Sequence, residues 1–134
     1  MKLEGGCYCG NVRYEAEGEP VMKAQCHCRE CQYISGGSPN LVLGMPLAGF
    51  RFTKGTPKGF TRSDLENPGT REFCPDCGTQ LLSRMPTLPI ALIKVGTLDD
   101  PAVFEGAQMA IFTIDSQPFH HVPDGIPTFE RLPG

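Results

Sequence analysis

Short apolar and β-branched runs recur along this chain, separated by polar positions and frequent turn residues. Val12, Tyr14 and Ala16 alternate with Arg13 and Glu15, the period of two that turns one face of a strand toward a core. Segments 21–26, 41–43, 50–53, 60–62, 72–74 and 80–84 extend this pattern, and 90–95 and 109–114 are apolar enough to predict buried strands. Lys58-Gly59, Pro68-Gly69 and Asp124-Gly125 are turn signals. A 3.6-residue period is nowhere sustained, and only 28–35 predicts a short helical turn. The expected fold is all-β, a small β-sandwich of two antiparallel sheets with little helix.

Composition narrows the function classes. The 134 residues are 40% apolar, enough for one domain over 1–134, with no repeat or linker dividing the chain. A net charge of -3 offers none of the clustered Lys and Arg that a nucleic-acid partner requires. The most apolar stretch, 41–50, is interrupted by Gly44, Pro46 and Gly49 and falls short of the roughly 20 residues that span a membrane. The N-terminal segment MKLEGGCYCG lacks the apolar run of a secretion signal, so the expected location is the cytoplasm, where thiols stay reduced. Seven cysteines, an odd number, exclude a complete disulfide framework.

The cysteines fall into three groups. Cys74-Pro75-Asp76-Cys77-Gly78 is a zinc-knuckle half-site, two thiolates around a tight turn with Gly78 supplying backbone freedom. Cys7-Tyr8-Cys9-Gly10 places two sulfurs on one side of an extended segment. Together they offer the four thiolates of a closed structural zinc site, clamping the N-terminal segment to a distant hairpin. Rubredoxin-like iron is the alternative, although it normally takes two Cys-x-x-Cys loops. Cys26-His27-Cys28-Arg29-Glu30-Cys31 is unlike the other two. Three sulfurs converge with no eighth cysteine to complete the shell, the donor count of a catalytic zinc whose remaining place takes water or a soft ligand such as a thiolate. Its rivals are a second structural zinc completed by His120 or His121, and a redox pair at Cys28 and Cys31. His27, between two ligands, is expected to point away from the metal. Arg29, beside the ligands, is the first candidate to balance an anionic thiol, with Arg62 and Lys54 after it. Phe119 and Phe129 are expected to pack rather than to hold substrate.

CYCG, CHCRECQYISGG, FCPDCGTQL, KVGTLDDP and a terminal DGIPTFE together resemble the glutathione-dependent formaldehyde-activating enzyme family (the GFA, or centromere-protein-V-like, domain) across residues 3 to 131. The resemblance implies a zinc-bearing β-sandwich related to B-type methionine sulfoxide reductases. It implies two zinc ions per chain, a structural one on Cys7, Cys9, Cys74 and Cys77 and a catalytic one on Cys26, Cys28 and Cys31. The implied activity is carbon–sulfur lyase chemistry, forming or cleaving S-hydroxymethylglutathione, with glutathione or another thiol and a small aldehyde as partners. This chain has Gln32 where members often carry a basic residue. The competing function class is a non-catalytic zinc module that binds a protein. A sulfoxide reductase is disfavoured, because it needs a free nucleophilic cysteine and both proposed metal sites use all seven.

Overall fold

The computed structural model describes residues 1–133. In chain order its strands are β1 (Lys2–Gly6), β2 (Arg13–Glu17), β3 (Met22–Cys26), β4 (Asn40–Pro46), β5 (Phe50–Lys54), β6 (Lys58–Thr61), β7 (Thr70–Phe73), β8 (Gln80–Arg84), β9 (Ile90–Lys94) and β10 (Met109–Ile111), with one α-helix, α1 (Arg29–Ser35). Four 3-10 turns complete the assigned elements. A three-stranded sheet has the order β1-β2-β5, and a seven-stranded sheet has the order β10-β3-β4-β9-β8-β7-β6. The all-β expectation holds, with two corrections. β10 runs parallel to β3, so the larger sheet is mixed rather than antiparallel. Lys58-Gly59 does not turn the chain but opens β6, where both residues pair with β7. β1 has no apolar alternation to announce it, since Gly5 and Gly6 fill its second half. Those glycines are required by proximity, because a Cβ on Gly5 would stand 2.4 Å from the Tyr14 hydroxyl and from the Thr97 carbonyl.

The predicted strand over 109–114 stops at Ile111. Phe112 adopts a left-handed backbone (φ 55°), from which a 3-10 turn over Thr113–Asp115 begins. That kink starts the C-terminal segment back across the sheet, where Phe129 N–H bonds the Ala110 carbonyl.

Alternation within the large sheet divides its side chains between two environments. Leu43, Met45, Leu82, Ala91 and Ile93 point to the small sheet and pack with Leu3, Tyr14 and Ala16 in the main core. Ala24, Cys26 and Val42 point the other way and form a second cluster with Cys28, Cys31 and Ile111, flanked by Met22, Leu92 and Phe129. Cys7 and Cys74 belong to the main core instead. The two cysteine groupings therefore lie in separate hydrophobic clusters. No helix among the described residues is long and apolar enough to cross a membrane.

Candidate metal centres

Cys7, Cys9, Cys74 and Cys77 meet, their sulfurs all within 4.8 Å of one another. The β1–β2 turn supplies one pair and the β7–β8 turn the other. The two turns are built alike. Gly10 and Gly78 both adopt left-handed backbone (φ 82° and 77°), and the N–H of each bonds the carbonyl three or four residues back, Cys7 for the first and Cys74 for the second. Cys7 Sγ lies 3.6 Å from Cys9 Sγ, which lies 3.7 Å from Cys74 Sγ. Sulfurs in a tetrahedron around zinc, each at about 2.3 Å, are roughly 3.8 Å apart, so this donor set fits such an ion. Backbone N–H groups of Val12, Asp76 and Cys77 point at the two buried sulfurs, at 3.2, 3.4 and 3.5 Å. Thr79 joins the halves, accepting from Tyr8 N–H at 3.1 Å and donating its hydroxyl to Cys77 Sγ at 3.1 Å. That hydroxyl and the Thr79 N–H draw the Cys77 thiol down to about 6. Asn11 Nδ2 donates to Asp76 at 3.0 Å, a further tie across the clamp.

Cys26, Cys28 and Cys31 form the other grouping, all three buried. Among the described residues no fourth Cys, His or carboxylate side chain joins them. Cys26 sits at the end of β3, and Cys28 caps α1, its sulfur accepting from Cys31 N–H at 3.4 Å. The first turn of the helix then returns Cys31 to the pair. Cys26 and Cys28 sulfurs are 3.4 Å apart, and Asn40 Nδ2 donates to Cys31 Sγ at 3.5 Å. Contacts with the Cys26 and Cys28 thiols hold the Cys31 thiol down at about 2, while the same contacts drive Cys26 upward. Left to themselves, three sulfurs packed this closely cannot all ionise. A divalent cation is the partner that lets all three ionise, and the donor set suits zinc.

The histidines are occupied elsewhere. His27 is fully buried and points away from the sulfurs, as its place between two ligands predicts. Its Nδ1 lies 2.9 Å from His120 Nδ1, and its Nε2 lies 3.0 Å from Gln25 Nε2. His120 Nδ1 accepts from Gln117 N–H at 3.2 Å, and its Nε2 donates to the Gly37 carbonyl at 2.8 Å. Burial, and secondarily the neighbouring His120, lower the His27 pKa below its ordinary value. His121 contributes its backbone carbonyl to Gln25 at 2.9 Å. Neither His120 nor His121 completes the three-cysteine set.

Arg29 donates to Gln32 Oε1, and its guanidinium lies 5.1 Å over the Tyr33 ring. Arg62 pairs with Asp64 and reaches Glu30 at 4.0 Å, and Lys54 bonds the Gly10 carbonyl. Phe119 is exposed, while Phe129 packs on the three-cysteine cluster.

Two residues near the three cysteines were not singled out by spacing. Gln32 is buried, and its amide uses all its capacity. Nε2 donates to the His27 and Asp115 carbonyls at 2.9 and 3.0 Å, and Oε1 accepts from Arg29 and from Gln117 at 3.2 Å. It fastens α1 to the cysteine loop and to the C-terminal segment. Lys94 is buried on the cysteine face of the sheet. Burial pushes its pKa down to about 8, against the pull of the Cys31 thiolate and with the help of nearby Arg71. A single lysine ending the apolar run Ile90-Ala91-Leu92-Ile93 was the available signal.

A family model described as glutathione-dependent formaldehyde-activating enzyme matches residues 2–115. No curated relative matches the chain significantly. Among solved structures, the crystal structure of a Rhodobacter sphaeroides structural-genomics target aligns with a TM-score of 0.63 and 16% sequence identity, covering 94% of this chain and 99% of that one. At that identity the likeness concerns the fold.

Proposed function

From membership of the glutathione-dependent formaldehyde-activating enzyme family, to which this chain belongs, we propose that it is a carbon–sulfur lyase that forms or cleaves a thiol–aldehyde adduct such as S-hydroxymethylglutathione. The observation that carries this reading is the inequality of the two cysteine sets, four donors in one and three in the other. Cys7, Cys9, Cys74 and Cys77 hold a structural zinc; Cys26, Cys28 and Cys31 hold a catalytic one. Bound at the second set, zinc supplies Lewis acidity that brings a substrate thiol to its thiolate form at neutral pH.

The chain's own residues do the rest. Asn40 and the Cys31 N–H orient two of the ligand sulfurs by hydrogen bonds. Gln32 fixes the loop that carries them. Burial keeps the site from bulk water. In the synthetic direction a sulfur–carbon bond forms at the aldehyde carbon while the carbonyl π bond breaks. The thiol proton ends on the new hydroxyl oxygen. Cleavage is the reverse, with sulfur leaving and the hydroxyl proton returned. Arg29, exposed beside Cys28, is a contact for the substrate's charged periphery. The single domain over 1–134 operates in the cytoplasm, where reduced thiols are abundant.

The test is exchange spectroscopy by NMR on zinc-loaded protein with glutathione and formaldehyde. The expected result is faster interconversion of free and adduct forms than without protein, abolished by Cys28→Ser. Rates equal to the uncatalysed reaction for glutathione and for other cellular thiols would overturn the proposal.

A further inference from the structure

Six cationic side chains of this acidic protein have carboxylate partners: Lys2, Lys23, Arg13, Arg51, Arg62 and Arg84. Two that lie on the cysteine face of the large sheet do not. Arg71 is half-buried and Lys94 is buried, and no described carboxylate lies within 4.0 Å of either. Both converge on one neutral oxygen. Arg71 Nη1 donates to Ser83 Oγ at 2.7 Å, and Lys94 Nζ donates to the same atom at 3.1 Å.

Register places these groups on the face that carries the three cysteines. Arg71 pairs with Ser83, Ser83 with Leu92, Lys94 with Val42, and Val42 with Ala24, two residues before Cys26. Directly paired residues share a face, as do residues two apart on one strand. Two like charges facing each other across a hydroxyl are unfavourable alone, which is the arrangement of a site made for an anion. Ser83 Oγ accepts from both cations, so its own O–H is left to donate. A dication among three thiolates carries one net negative charge and repels an anionic substrate; Lys94 and Arg71 reverse that sign locally.

We propose that Arg71, Ser83 and Lys94 are the specificity element for a carboxylate of the substrate. This rests on the proposed thiol chemistry for its substrate but is tested by binding, without turnover.

The experiment is calorimetric titration of zinc-loaded protein with glutathione and with glutathione diethyl ester. Wild type should bind glutathione more tightly than the ester, by about tenfold to a hundredfold, the range for hydrogen bonds to a charged group. Arg71→Gln should erase that preference without weakening ester binding, and Arg71→Lys should restore part of it. Arg71 is half-buried and serves as the primary variant; buried Lys94→Met is the second, accepted only if its circular dichroism and melting remain native. A preference that survives Arg71→Gln, or a wild type that binds acid and ester alike, overturns the inference. Glutathione preference without adduct turnover would sink the lyase reading and leave this one standing.

Discussion

His27 Nδ1 lies 2.9 Å from His120 Nδ1, joining the loop of the three cysteines to a residue 93 positions later. The contact removes His120 from the list of metal ligands and makes it a brace for the C-terminal segment. His120→Ala should therefore leave the metal content unchanged from wild type and lower stability by about 1–3 kcal/mol, the usual penalty for a buried polar group that loses its partner. Metal analysis alongside a denaturant melt checks both halves. Loss of one zinc in the variant would return His120 to the ligand set.

Gln32→Ala should act through the loop rather than through the sulfurs. The side chain hydrogen-bonds no cysteine but fixes the His27 and Asp115 carbonyls. Removal of such outer contacts ordinarily weakens metal binding by about 10- to 100-fold. Competition with a chelator should show metal held by Cys26, Cys28 and Cys31 released more readily than in wild type, with metal at the four-cysteine set unaffected.

Cys77→Ser and Cys28→Ser should differ. The first opens the clamp between the β1–β2 and β7–β8 turns, which is tied into the main core through Cys7 and Cys74, and should cost several kcal/mol of stability. The second lies in the separate cluster around α1 and should abolish turnover with a smaller change in melting temperature. Equal destabilisation by both would contradict the division of labour between the two sets.

Tyr14 sets an alkaline limit. Its ring is buried, and burial raises the phenol pKa to about 12, the hydroxyl bond to Thr97 at 2.7 Å opposing the shift. An unfolded tyrosine ionises near 10, so between those values the unfolded chain loses a proton that the native state retains. Stability contributed by Tyr14 is full below pH 10 and falls as pH rises toward 12, by up to about 2–3 kcal/mol. Urea melts at pH 9 and pH 11 should show this loss, and Tyr14→Phe should flatten it.

Gly49→Ala is expected to destabilise strongly, because a Cβ there would stand 2.0 Å from the Glu17 carbonyl oxygen. Backbone on both sides must move, and a cost of about 2 kcal/mol or more is expected in a thermal melt.

Strand content was legible wherever one face of a strand is buried. Gln80–Arg84 and Phe50–Lys54 lie within a residue of their expected bounds, since a core on one side forces apolar alternation. β1 was not legible, and β6 was legible only in its second half, expected over 60–62, while Lys58-Gly59 read as a turn. The whole of β6 is exposed, and half of β1 is glycine packed against Tyr14, so neither needed apolar residues to hold its place. Nor did local pattern contain the parallel pairing of β10 with β3, which depends on how a distant segment returns to the sheet.

Sequence alone determined the local grouping of the cysteines, because the spacing of Cys7 and Cys9, of Cys74 and Cys77, and of Cys26, Cys28 and Cys31 lets neighbouring sulfurs share one side of the chain, whereas the meeting of the first two pairs is a matter of tertiary structure. It also determined the all-β character, through the period of two. Only the tertiary structure decided that His120 braces rather than binds, that Gln32 locks the loop, and that Arg71 and Lys94 share Ser83. Those relations join residues far apart in the chain. Strand order and register set them, and both emerge only when the two sheet faces have been buried in their separate clusters.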